Sequence, residues 1–221
     1  MKIILFGATG MVGQGVLREC LLSSLVEQVL VVGRASVGVS DPKLREIVRP
    51  EVGELAPVES ELVGYDACFF CLGVSSVGMN EADYRRVTYD LTLSVARVLA
   101  RVNPQSVFIY VSGAGTDSSE RGRSMWARVK GATENAVREL PLRTYSFRPG
   151  YIQPLHGVTS KTRLYSLVYR VVAPLYPLLR RVFPRYVNTT EAIGRAMLAV
   201  AEQGGPSRVL TPADINLAAD T

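Results

Sequence analysis

The chain has 221 residues, 48% of them hydrophobic and 20% charged, a balance that suits a single domain with a substantial core and excludes a disordered segment. Its formal charge of +5 comes from lysines and arginines spread along the sequence, with no run of five or more. That spacing argues against a nucleic-acid surface and favours anionic small molecules or membrane surfaces as partners. The opening residues, MKIILFGATG, read directly as a strand and a turn with no room for a charged leader and a cleavage site, so the expected compartment is the cytosol.

The run from Lys2 to Phe6 opens a series of short apolar stretches suited to buried parallel strands, continued by Gln28 to Val32, Ala67 to Leu72, Ser106 to Ser112 and Thr144 to Arg148. Helical patterns lie between several of them, at Met11 to Leu22, Glu81 to Val102 and Arg123 to Leu140. In the second, Val87, Leu91, Val95, Val98, Leu99 and Val102 form one apolar stripe. Strand and helix in alternation predict an α/β fold, a doubly wound parallel sheet with helices on both faces and right-handed crossovers. The motif CFFC falls inside the run Ala67 to Leu72, where side chains alternate, so Cys68 and Cys71 point to opposite faces and share neither a disulfide nor a metal.

From about Tyr151 the pattern changes, which divides the chain into a core over residues 1–150 and a small cap over 151–221 packed on the same domain. The stretch LYSLVYRVVAPLYPLL is broken by Arg170, Pro174 and Pro177 and falls short of the roughly 20 residues a spanning helix needs. It contains Tyr165, Tyr169 and Tyr176 with Arg170, and Arg180, Arg181 and Arg185 follow it. Residues 163–186 therefore read equally as a substrate lid, as an interface for a second copy, a protein partner or anionic lipid, or as ordinary packing with basic residues in solvent. A last helix is expected from Thr190 to Glu202, ended by Gly204 and Gly205.

Between the first strand and the first helix stands LFGATGMVGQG. Gly7, Gly10 and Gly13 give a sharp turn, a close approach of backbone N–H groups to an anion, and tight packing of helix on strand. A pyrophosphate then sits at the positive end of the helix, touched by Thr9, Met11 and Val12 as well. The second strand ends at Arg34. An acid at that position bonds a ribose 2′-hydroxyl, whereas an arginine pairs with a 2′-phosphate, so Arg34, with Ser36 as an extra donor, points to NADP. A solvated arginine at a strand end is the plainer alternative.

GATGMVG, YVSGAG, WARVKGATE and RPGYI together resemble the short-chain dehydrogenase/reductase superfamily, in its atypical branch, over about Met1 to Gly150. The resemblance implies a Rossmann fold, a nicotinamide cofactor and a Tyr-x-x-x-Lys pair on one helix face. It puts the family serine at Ser112 and the family lysine, which holds the nicotinamide ribose, at Lys130. Leu72 and Gly73 would pass beneath the cofactor, and Pro149 would border the nicotinamide. At the family's tyrosine the sequence has Trp126, whose indole N–H neither gives nor takes a proton near neutrality. It lacks the family's aspartate after the third strand as well; EIVRPEVGEL stands there.

Trp126 leaves three readings open: a cofactor-binding protein without catalysis, an enzyme with another proton source, or a helix in a different register. Tyr151 and His156, both after the run Thr144 to Arg148, are candidates for the missing acid, the histidine because imidazole titrates in the useful range. A loop histidine is more often a surface residue. Tyr89 is a further polar group near the fourth helix, with core packing as its plainer role. The leading reading is an NADP(H)-dependent reductase or dehydrogenase of a small carbonyl or hydroxyl compound. A silent dinucleotide sensor that binds a protein through its cap is the alternative.

Overall fold

The computed structural model describes residues 1–158 and 186–221. Seven parallel strands form one sheet in the order β3-β2-β1-β4-β5-β6-β9. The strands are β1 (Lys2–Phe6), β2 (Gln28–Gly33), β3 (Leu44–Val48), β4 (Ala67–Phe70), β5 (Val107–Val111), β6 (Arg143–Phe147) and β9 (Val209–Leu210). Helices α1 (Met11–Leu22), α2 (Glu81–Arg85), α3 (Leu91–Val102), α4 (Met125–Arg138), α5 (Thr190–Gln203) and α6 (Pro212–Ala219) cover it. A separate parallel pair joins β7 (Tyr151–Gln153) to β8 (Val187–Thr189). The chain thus has the doubly wound fold that its alternating pattern predicts.

The four central strands are buried on both faces, which is why they read as continuous apolar runs. One face packs Ile3, Leu5, Val29 and Val31 with α1 and α5. The other packs Ile4, Phe6, Leu30 and Val32 with α3. Cys68 belongs to the second face and Cys71 to the first, as alternation requires. Burial pushes the thiols of Cys20, Cys68 and Cys71 well above their ordinary range, which leaves all three poor nucleophiles.

Three elements depart from the sequence expectation. The edge strand β3, LREIV, alternates charged and apolar residues and gives no apolar run, while β9 is too short to signal itself. The long helix expected from Glu81 is broken by a π-helical turn over Arg86–Asp90. The extra residue in that turn rotates Val87 out of the stripe to the surface and buries Thr88 instead.

Close backbone contacts lock the C-terminal elements onto the first helix. A Cβ on Gly15 of α1 would lie 2.5 Å from Thr190, and one on Gly194 of α5 would lie 2.7 Å from Glu19. Helix α5 starts with the Thr189 side chain accepting from the Ala192 N–H and stops at Gly204, whose φ of 88° suits glycine. Asn188, fully buried, accepts from the Gly150 N–H at 3.1 Å and donates to the Pro212 carbonyl at 2.9 Å. This fixes β7 and β8 beside the carboxyl end of the sheet. The stretch LYSLVYRVVAPLYPLL with its tyrosines, and Arg170, Arg180, Arg181 and Arg185, lie outside the described residues. Among the described residues no helix is long and apolar enough to cross a membrane.

Candidate nucleotide cleft

A cleft of about 990 Å³ opens at the carboxyl ends of β1, β2, β4, β5 and β6. In open α/β sheets ligands bind at this edge. The glycine loop forms one wall. Gly7 has φ of 82°, and a Cβ there would come within 2.7 Å of the Cys71 carbonyl carbon. A Cβ on Gly13 would lie 2.1 Å from the Gly7 oxygen. The Gly10 N–H closes the turn onto the Gly7 carbonyl at 2.9 Å. No side chain caps the start of α1, so its first N–H groups face the cleft with the positive end of the helix behind them. Thr9, Gly10, Met11 and Val12 line this wall, and Gly13 supports it from behind. The loop is a cradle that side chains would fill, and it fits a dinucleotide diphosphate.

Arg34 lines the cleft beyond the end of β2 and is exposed. It makes no ion pair or hydrogen bond among the described residues. Ser36 is turned away: its hydroxyl donates to Glu46 of β3 at 2.8 Å, outside the cleft. Leu72 and Gly73 line the opposite wall with Val74 and Ser75.

The floor is built by β5 and α4. The Lys130 ammonium donates to the Ser112 carbonyl at 2.7 Å and to the Val111 carbonyl at 3.5 Å. Burial lowers its pKa to about 8, against the opposing pull of Glu134. Ser112 lines the cleft as well, but its hydroxyl donates to Glu134 Oε1 at 2.5 Å, with the Phe147 carbonyl as a second acceptor at 3.1 Å. Glu134 is itself buried and forms a two-pronged ion pair with Arg148, whose Nε donates to Oε1 at 3.0 Å. Neither Glu134 nor Arg148 stands out in the sequence. The signal was the helical spacing, which puts Glu134 one turn beyond Lys130.

Trp126 lies one turn before Lys130 on α4, in the position the sequence comparison assigned to the family tyrosine. It does not line the cleft. It packs against the loop after β5, its ring edge 3.4 Å from where a Gly115 Cβ would stand. Gly131 seats α4 on that same loop, since a Cβ there would strike the Asp117 carbonyl at 1.8 Å.

Pro149 and Tyr151 border the cleft from the far side. The Tyr151 hydroxyl donates to Gln153 Oε1 at 3.1 Å. His156 is not brought to the cleft. It sits across α1 in a second depression of about 660 Å³, with Ser36 and Val37. Its Nε2 is 2.7 Å from Glu191 Oε2, and this contact holds the Glu191 carboxyl below its ordinary range. Tyr89 lies outside the cleft too, under the Arg85 guanidinium at 3.8 Å. The described residues that line the cleft include two cations, Arg34 and Lys130, and no carboxylate.

No family model matches the sequence. The chain is 27% identical to Protein FMP52-1, mitochondrial, of Scheffersomyces stipitis over 69% of its own length and 67% of that protein's. It is 29% identical to Protein HTATIP2 of Rattus norvegicus over 68% of its length and 62% of that protein's. The matches thus span about two thirds of these relatives. Among solved structures, the Bordetella bronchiseptica enzyme WbmF in complex with NAD+ superposes with a TM-score of 0.67 at 16% identity, over 99% of this chain and 77% of that one. A short-chain dehydrogenase/reductase of Saccharomyces cerevisiae matches with a TM-score of 0.67 at 14% identity, over 99% and 98%.

The chain is a homologue of FMP52 and HTATIP2 with a short-chain dehydrogenase/reductase fold. That is the fold of NAD(P)-dependent oxidoreductases, as the resemblance of GATGMVG and YVSGAG implies. The cytosolic expectation is overturned: several FMP52 relatives are named as mitochondrial proteins. A chain that opens directly on a strand does not by itself set a compartment.

Proposed function

We propose that the cleft binds NADP(H) and that the protein is a reductase or dehydrogenase of a small carbonyl or hydroxyl compound. The observation that carries this is a glycine cradle at an uncapped helix start, in a cleft that presents two cations and no carboxylate among its described residues. Gly7, Thr9, Gly10, Met11, Val12 and Gly13 hold the diphosphate, Arg34 takes the 2′-phosphate, and Leu72 and Gly73 support the adenosine side. Lys130 holds the nicotinamide ribose, oriented by the Ser112 carbonyl, and Pro149 borders the ring. A bound nicotinamide supplies or accepts a hydride. Tyr151 is the phenol that lines the cleft near that end. The FMP52 names make the mitochondrion the compartment we propose.

A second reading, a dinucleotide sensor without catalysis, is favoured by two observations on the floor of the cleft. Trp126 stands where the resemblance expects a proton donor and does not line the cleft, and the Ser112 hydroxyl is held by Glu134. Turnover with a panel of aldehydes and ketones separates the two readings. The enzyme reading expects NADPH consumption that Lys130→Ala abolishes; the sensor reading expects NADPH binding that Lys130→Ala weakens, with no turnover in either protein.

A further inference from the structure

The Nε atom of Arg49 is buried and has no hydrogen-bond partner among the described residues. A buried guanidinium N–H without an acceptor costs free energy, so an acceptor is the first thing to look for. The sheet shows where it would have to be. In the β2–β3 ladder the last pair is Gly33 with Val48, and the Arg49 N–H continues it by donating to the Gly33 carbonyl at 2.9 Å. Arg34 and Arg49 are therefore the first residues beyond that pair, side by side at the carboxyl edge.

Continuing the strand alternation one residue past Gly33 and Val48, as the Arg49 N–H bond to Gly33 does, puts both on one face. Leu30 and Val32 of β2 pack on the α3 side, as does Ile47 of β3, and Arg34 and Arg49 have the same parity. The carboxylate nearest along the ladder, Glu46, has the opposite parity and is engaged with Ser36 and the Val37 N–H. Neither arginine forms an ion pair among the described residues. Two adjacent guanidinium groups without a counter-ion repel one another, and a phosphate dianion between them reverses that term while accepting several N–H bonds.

We infer that Arg49 is the second arm of a two-arginine clamp on the 2′-phosphate of the nucleotide, with Arg34 as the first. The inference rests on the NADP(H) reading above and adds a specificity determinant to it. Where the resemblance expects an aspartate after the third strand, this chain puts the donor that a phosphorylated ribose needs.

The test is calorimetric titration of the full chain with adenosine 2′,5′-bisphosphate and with adenosine 5′-monophosphate. The wild-type protein binds the bisphosphate at least about tenfold more tightly, the size of one added charge-assisted contact. Arg49→Gln removes about tenfold of bisphosphate affinity and leaves the monophosphate unchanged. Arg49→Lys keeps the charge without the fork, loses about threefold, and carries the test if the glutamine variant does not fold. A wild-type chain that does not distinguish the two nucleotides overturns the NADP(H) reading and the clamp with it. A wild-type preference that survives in the Arg49 variants overturns the clamp alone. Equal weakening of both nucleotides by Arg49→Gln also overturns it, by showing that Arg49 serves the adenosine or the fold.

Discussion

The two walls of the cleft are built on different principles. At the glycine loop the work is done by backbone: a φ that suits glycine at Gly7, a Gly13 with no room for a Cβ, and N–H groups left uncapped at the start of α1. On the β5–α4 side it is done by side chains that hold one another: Lys130 on the Ser112 carbonyl, Ser112 on Glu134, and Glu134 on Arg148. The first wall is a backbone cradle at an uncapped helix start, suited to a diphosphate. The second presents Lys130 and Ser112 to the cleft, engages the Ser112 hydroxyl with Glu134, and leaves Trp126 off the lining.

Breaking each wall in turn sharpens that contrast. The largest effect is expected from Glu134→Ala, which leaves the Arg148 guanidinium without its buried partner and costs about 3–5 kcal/mol of stability by urea unfolding. Nucleotide affinity per folded molecule falls much less, through the loss of Glu134's support for the Lys130 charge. Gly13→Ala is the reverse case. Its Cβ would collide with the Gly7 carbonyl, so NADPH affinity falls by about a hundredfold or more, roughly 2.7 kcal/mol, as measured by calorimetry.

Lys130 connects the walls through its charge. With a pKa of about 8, below that of an unfolded lysine, the free protein loses this positive charge as pH rises through 8. Bound phosphate and ribose favour the charged form, so NADPH affinity is flat below pH 8 and falls above it. Lys130→Met weakens binding at pH 7 by about tenfold and flattens the profile. The same shift makes stability rise with pH between about 8 and the unfolded value near 10.4, because the unfolded chain holds the proton longer there. The smallest effect belongs to His156→Ala. Its contact with Glu191 is partly exposed, so its loss costs under about 1 kcal/mol and leaves NADPH binding unchanged.

The same division decides what could be read from the sequence. The central strands, α1 and the glycine loop are legible because burial on both faces and the absence of Cβ atoms leave direct marks on residue type. The strand β3 is not, since an edge strand alternates charge and carries no apolar run, and with it went Arg49. The π-helical turn at Arg86–Asp90 is invisible to a helical count that assumes one period throughout. Lys130 could be placed by its spacing from Ser112. The direction of the Ser112 hydroxyl could not, because it depends on Glu134 and Arg148, which meet only when α4 and β6 pack together. His156 looked close to the cleft in sequence, but the chain leaving β7 carries it across α1 to Glu191.

The measurement that bears most directly on this account is a side-by-side titration of the protein with NADPH and NADH. The account predicts saturable binding of both, with NADPH tighter by about tenfold or more and the preference reduced by Arg34→Ala. Equal or tighter binding of NADH, or no binding of either nucleotide, would contradict it.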